Sequence, residues 1–184
     1  MKKHFYIIIV ILINFSLRAD DGNIYLTKSR IYFEDSCDYN KSKSFALKSL
    51  THSKSRKSPL SIIQSYYYLG ANCNYLISKR DTAFIYLNQA IEIAKKEHFE
   101  IEIPKIKLEL ANYYIGEGDA ETATEILFEL IPIFTKNKNQ ILLAKTYENL
   151  AIVFFNVGKI EKSLEFIDKS IQLYKTENST IKLS

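Results

Sequence analysis

Residues 141–176 read ILLAKTYENLAIVFFNVGKIEKSLEFIDKSIQLYKT, and the spacing of their apolar side chains decides the fold. In the second half Ile160, Leu164, Ile167, Ile171 and Tyr174 step by four, three, four and three residues. That is the period of one face of an α-helix. In the first half Leu143, Tyr147, Leu150 and Phe154 step by four, three and four. Gly158 lies between the two runs, where a chain that leaves one helix to start another needs a left-handed residue. The stretch therefore reads as two antiparallel helices joined by a tight turn.

The same stretch recurs upstream. A shift of 40 residues brings Ala71, Ala111 and Ala151 into one column without a gap. Ala83, Ala123 and Ser163 form a second small column, and Leu87, Leu127 and Ile167 an apolar one. Asp81, Glu121 and Glu161 make an acidic column, and Ser78, Gly118 and Gly158 a turn column. Self-similarity at a fixed period of this size marks a stacked repeat, in which each unit buries its apolar face only against its neighbour. The small columns fall on both sides of the turn, so two helix backbones can approach closely there. One stretch competes with this reading. Ile101, Ile103, Ile106, Leu108 and Leu110 nearly alternate with charged residues, as in a strand, and Pro104 interrupts them. The repeat frame puts Pro104 in a first helical turn, where proline is tolerated, so a helix is expected there too.

The units resemble tetratricopeptide repeats in a longer form of 40 residues. The last unit carries the pattern as Tyr147, Leu150-Ala151, Phe154, Gly158, Ile160, Ser163, Ile167 and Ser170. The one before it has Leu110-Ala111, Tyr114, Gly118, Ala120, Ala123, Leu127 and Leu130, with Lys107 where an aromatic is usual. The unit at 60–98 departs further, with Gly70-Ala71 for Leu-Ala and Asn74 for an aromatic. A degenerate first unit spans 24–57, through Phe33, Asp38-Tyr39, Ser42, Ala46 and Ser49, shifted by one residue from the frame. The expected fold is all-α: a right-handed solenoid of about four antiparallel helix pairs, at 24–57, 60–98, 100–137 and 139–176, with a tail at 177–184.

In arrays of that family the first helix of each pair lines a concave surface. The resemblance places Ser65, Tyr68, Asn72 and Tyr75 there, then Lys105, Leu108, Asn112 and Ile115, then Lys145, Glu148, Ile152 and Phe155. Tyr68, Asn72, Tyr75, Lys105, Asn112, Lys145 and Glu148 are the candidate partner-binding residues. Asn72 and Asn112 share a column, and amide side chains can hold an extended peptide backbone. The blander alternatives are that rings of Tyr66–Tyr68 pack between helices, and that the two asparagines bond each other or water. The family's carboxylate clamp is not implied, because Tyr68 and Leu108 stand where its lysine would be.

Charge and chemistry narrow the function. Residues 1–19 have Lys2 and Lys3, an apolar run from Phe5 to Leu17, then Arg18-Ala19, which fits a secretory signal peptide cut after Ala19. The run is short for a spanning helix, and an uncleaved anchor is the alternative. Without those residues the chain holds 22 basic against 21 acidic groups, no footprint for nucleic acid. The residual imbalance sits in Lys41–Lys57, which holds Lys41, Lys43, Lys48, Lys54, Arg56 and Lys57 and no acid. It reads as a solvated face with a Ser/Lys-rich loop, or as a patch for anionic lipid, glycan or a partner's acidic surface. The histidines are at 4, 52 and 98 only, too scattered for a metal site, and Gly116-Glu117-Gly118 lacks the third glycine of a dinucleotide loop. Cys37 and Cys73 occupy unmatched places in the frame, which argues against a bridge. No nucleophile–base set assembles, so neither enzyme nor cofactor is expected.

The expectation is an exported, periplasmic or cell-envelope scaffold that takes a protein or peptide segment in its groove. The alternative is the sensor or input portion of a longer bacterial regulator. Ile160, Leu164, Ile167 and Ile171 offer a further contact, for a homodimer or for more repeats. Membrane contact is expected only through an uncleaved signal.

Overall fold

The computed structural model describes residues 24–76 and 80–183. The expected signal at 1–19 and the turn residue Ser78 lie outside the described residues. Those described are helical apart from turns, with no strand among them. Helix α1 covers 24–34, followed by α2 (Tyr39–Ser55), α3 (Pro59–Tyr75) and α4 (Arg80–Lys96). A short 3-10 turn at Glu100–Glu102 leads into α5 (Ile103–Glu117), α6 (Ala120–Lys136), α7 (Gln140–Asn156) and α8 (Ile160–Leu183). The chain divides into two compact units after Phe99. The 101–110 stretch is helical as expected, with Pro104 in the first turn of α5. The tail expected at 177–184 is instead the end of α8, since no glycine or proline after Gly158 stops that helix.

The turns carry the repeat in backbone geometry. Gly118 and Gly158 have φ of 81° and 76°, and Cys37, Lys57, His98 and Lys138 also take positive φ between 51° and 59°. Residues 98 and 138 stand 40 apart, as do 118 and 158, whereas 57 precedes 98 by 41. The one-residue shift of the first unit is thus a real offset in the chain. At five of these turns an N–H two or three residues beyond the helix end donates to the carbonyl five residues back: Ser58 to Ser53, Phe99 to Ala94, Asp119 to Tyr114, Asn139 to Phe134 and Lys159 to Phe154. This closes the exposed carbonyls at a helix C-terminus. The next helix begins on a side-chain cap in three cases. Asp38 accepts from Lys41 N at 3.0 Å, Asp119 from Thr122 N at 3.0 Å, and Asn139 from Leu142 N at 3.1 Å.

In the first unit α2 packs on α3 and α3 on α4. Small residues set the spacing. Gly70 lies so close to α4 that a Cβ there would meet Leu87 Cγ at 2.5 Å and the Ala83 carbonyl at 3.3 Å. The departure from Leu-Ala at this column therefore has a packing cause. Between α1 and α2 the small residues are serines: Ser42 Oγ donates to Ser29 O at 2.8 Å, and Ser29 Oγ to Ser42 O at 3.0 Å. Cys73 is buried in α3 and Cys37 is exposed in the first turn, and the two are not bridged to each other.

In the second unit α6 packs on α5, α7 on α6 and α8 on α7, and α5 also touches α7. Leu108, Ala111, Ala123, Leu127, Leu130, Leu150, Ala151 and Phe154 form one apolar core. Ser163 replaces alanine in the small column because its hydroxyl donates to Ala151 O at 2.8 Å, so a buried polar group is satisfied across the helix pair. Phe166 stacks on Phe154 with ring centroids 5.4 Å apart and anchors α8 to α7.

Candidate functional site

The seven candidate residues divide between the units. Tyr68, Asn72 and Tyr75 lie on α3, and Lys105, Asn112, Lys145 and Glu148 lie on α5 and α7.

On α3 the structure corrects the expectation for two of them. Asn72 is 0% exposed, and Tyr68 is buried. The Asn72 Nδ2 donates to Ser42 Oγ at 2.8 Å and to the Tyr68 carbonyl. Its amide thus extends the serine cluster that joins α1 to α2, and it cannot hold a peptide backbone. The enclosed Asn72 Oδ1 has no hydrogen-bond partner. The cause of the burial is the helix in front. Serines at 29 and 42 let α1 and α2 approach closely, and the α3 face expected to line a groove is covered by them. Tyr68 is covered likewise: its hydroxyl donates to Glu34 Oε1 at 3.2 Å, and its ring meets Phe33 edge-on at 5.9 Å. Tyr66 and Tyr67 are buried as well, so all three rings of the tyrosine run pack inside. Tyr75 is half exposed and stacks on Tyr39 at 4.6 Å.

The second unit keeps its candidates nearer the surface. Lys105 and Asn112 are half-buried on α5, and the Asn112 amide donates to Glu109 Oε2 at 3.1 Å. Glu109 is itself buried, an acid that the sequence pattern hid because it sits between apolar residues of α5. The shared column of Asn72 and Asn112 therefore gives two different local bonds, not a ladder of free amides. Lys145 is exposed and Glu148 half-buried. Glu148 Oε2 accepts from the Tyr174 hydroxyl at 3.1 Å. Partial burial, with the Glu148 carboxylate beside it, raises the Tyr174 phenol far above its ordinary value, so it stays a donor.

The most accessible groups are apolar. On α7, Ile141, Lys145, Glu148, Ile152 and Phe155 step by four, three, four and three, one face of the helix. Phe155 is 63% exposed, and Ile141 and Ile152 are nearly half exposed. On α8 the stripe Ile160, Leu164, Ile167 and Ile171 runs beside the buried Ser163, Phe166 and Ser170 and is itself exposed, with Leu164 60% exposed. Ile152 and Phe155 occupy groove positions of the sequence beside the polar candidates Lys145 and Glu148. Apolar residues at a place where packing does not need them were the missed signal.

Among the described residues, no group of three or more His, Cys, Asp or Glu lies close enough to hold a metal ion. No described helix is long and apolar enough to cross a membrane.

No family model and no curated protein matches the chain. Among solved structures, the crystal structure of BtubC (BKLC) from P. vanneervenii is similar, with a TM-score of 0.63 at 18% sequence identity. The match covers 85% of this chain and 64% of that one, so the chain spans a little under two thirds of that protein's length. At this identity the likeness shows the fold, an all-α array of helices packed in adjacent pairs.

Proposed function

We propose that the chain is a non-enzymatic interaction scaffold of the tetratricopeptide type, exported to the cell envelope, and that the α7 face takes a segment of a protein partner. The observation that carries this reading is the exposure of Phe155 and Ile152 beside Lys145 and Glu148. Large apolar groups held in water, flanked by charges of both signs, are the usual make-up of a contact patch. The 40-residue columns and the left-handed turns that keep the same period support the tetratricopeptide assignment. The charged start and short apolar run of residues 1–19 support export.

The stripe Ile160, Leu164, Ile167 and Ile171 favours a second reading. In that reading the contact is made by α8, with a second copy or with further helix pairs of a longer regulator. Affinity capture from envelope extract, with the full chain as bait, separates the two. Ile152→Ser/Phe155→Ser is expected to lose the partner while the melting temperature holds, because both side chains already face solvent. Capture that survives that pair, and is lost with Leu164→Ser/Ile167→Ser, contradicts the α7 assignment and selects the second reading.

A further inference from the structure

We propose that the outer face of α1 and α2 docks on a bilayer of anionic phospholipid. The cations of this face come from two helices and meet around one aromatic pair. Tyr32 and Phe45 stack in parallel, with centroids 5.4 Å apart and planes 1° from coplanar. Lys28 Nζ from α1 and Lys48 Nζ from α2 stand over Phe45, 5.4 and 5.2 Å from its centroid, and Lys41 Nζ stands 5.4 Å from that of Tyr32. Residues 39–57 contribute no acid. The acidic groups of this helix pair are Glu34, Asp35 and Asp38, clustered where α1 ends and α2 begins. Asp38 pairs with Lys41 at 3.0 Å, and Glu34 is taken by Tyr68. Lys28 and Lys48 form no ion pair with a described residue.

Exposed aliphatic groups accompany the charge. Ile31 on α1 and Leu47 on α2 are each exposed by about two fifths. An open cleft of about 450 Å³ indents the same face, lined by Tyr25, Leu47, Lys48, Thr51, His52 and Ser55. It offers room for a headgroup next to the Lys48 ammonium.

This combination suits a bilayer better than a nucleic acid or an acidic protein. Ammonium groups attract anionic headgroups as point charges, without the planar fork that base and phosphate readout favours in arginine. Aromatic rings and short aliphatic chains next to them partition at the boundary between headgroups and acyl chains. Each lysine near such a surface is worth roughly a fivefold gain in partition.

The test is partition of the full chain onto vesicles of phosphatidylcholine, with and without about 30% phosphatidylglycerol, a surface of the kind that attracts basic segments. Residues 1–19 are common to wild type and variants, so any difference between them reports the α1–α2 face. Wild type is expected to prefer the anionic vesicles by about tenfold or more, with the preference shrinking as salt rises. Lys28→Glu/Lys48→Glu should remove most of that preference. Lys28→Gln/Lys48→Gln, at that gain per lysine, should also remove most of it, and it keeps the test valid if charge reversal disturbs folding. Equal partition of wild type and the glutamine pair overturns the proposal. So does binding that ignores lipid charge, or charge reversal that abolishes binding to heparin or an acidic protein and leaves vesicle binding intact.

Discussion

Asn72 is the residue whose role changed most between sequence and structure. Read along one helix, an asparagine at a groove position is a free amide. In the fold it is a buried donor that ties α3 to Ser42. Asn72→Ala leaves Ser42 without that donor and opens a small void, which costs about 1–3 kcal/mol. A lower melting temperature is therefore expected, and an unchanged one would show that the amide faces solvent. Gly70 makes the complementary case. A valine there gains little as a helix former, and its branches enter space held by Leu87 and the Ala83 carbonyl. Overpacking of this kind costs about 1–3 kcal/mol, so Gly70→Val should unfold at clearly lower denaturant than wild type. Gly70→Ala is the milder probe, because the lost glycine entropy, worth about 1 kcal/mol, offsets part of the clash.

At the level of the element, the caps decide where each helix begins. Asp119 accepts from the Thr122 hydroxyl and backbone N–H, and these bonds hold its carboxyl below the ordinary aspartate value of 3.8. Asp38 is lowered in the same way, chiefly by the Lys41 backbone N–H. A carboxylate with a depressed folded pKa contributes stability that is fully present above its unfolded value and is lost as pH falls through the folded one. Acid titration should therefore weaken both helix starts below about pH 4. Asp119→Asn should flatten that loss at α6 while keeping most of the cap at neutral pH. If the acid limb of wild type and variant coincide, the cap is not formed. Much at this scale was legible in the sequence. The period of α7 and α8, the turn at Gly158 and the first turn of α5 at Pro104 all follow from spacing and punctuation. What was not legible were the left-handed lysines and histidine at 57, 98 and 138, since such residues carry no turn signal of their own. Within the unit expected at 100–137, α6 runs to Lys136 through Pro132, where four turns of packing outweigh one missing N–H.

Across the whole molecule, the pattern that specifies stacking also obscured the surface. The repeat columns report which residues face another helix, and they do so correctly for Ala71, Ala111, Ala123, Ala151 and Ser163, all buried. They cannot report which neighbour covers a given face, because coverage depends on how closely two helices approach. That is why the α3 positions were misplaced: Ser29 and Ser42 bring α1 and α2 over them. The α7 and α8 faces show the opposite. There the apolar groups are present and nothing described covers them, and the proposed scaffold function rests on that contrast. Residue-resolved hydroxyl-radical footprinting of the full chain measures it directly. Phe155, Leu164 and Ile171 should be oxidised at rates near those of the unfolded chain, with Tyr68, Leu69 and Leu150 strongly protected; protection of Phe155 and Leu164 equal to that of Leu150 would contradict an open apolar face and the function built on it.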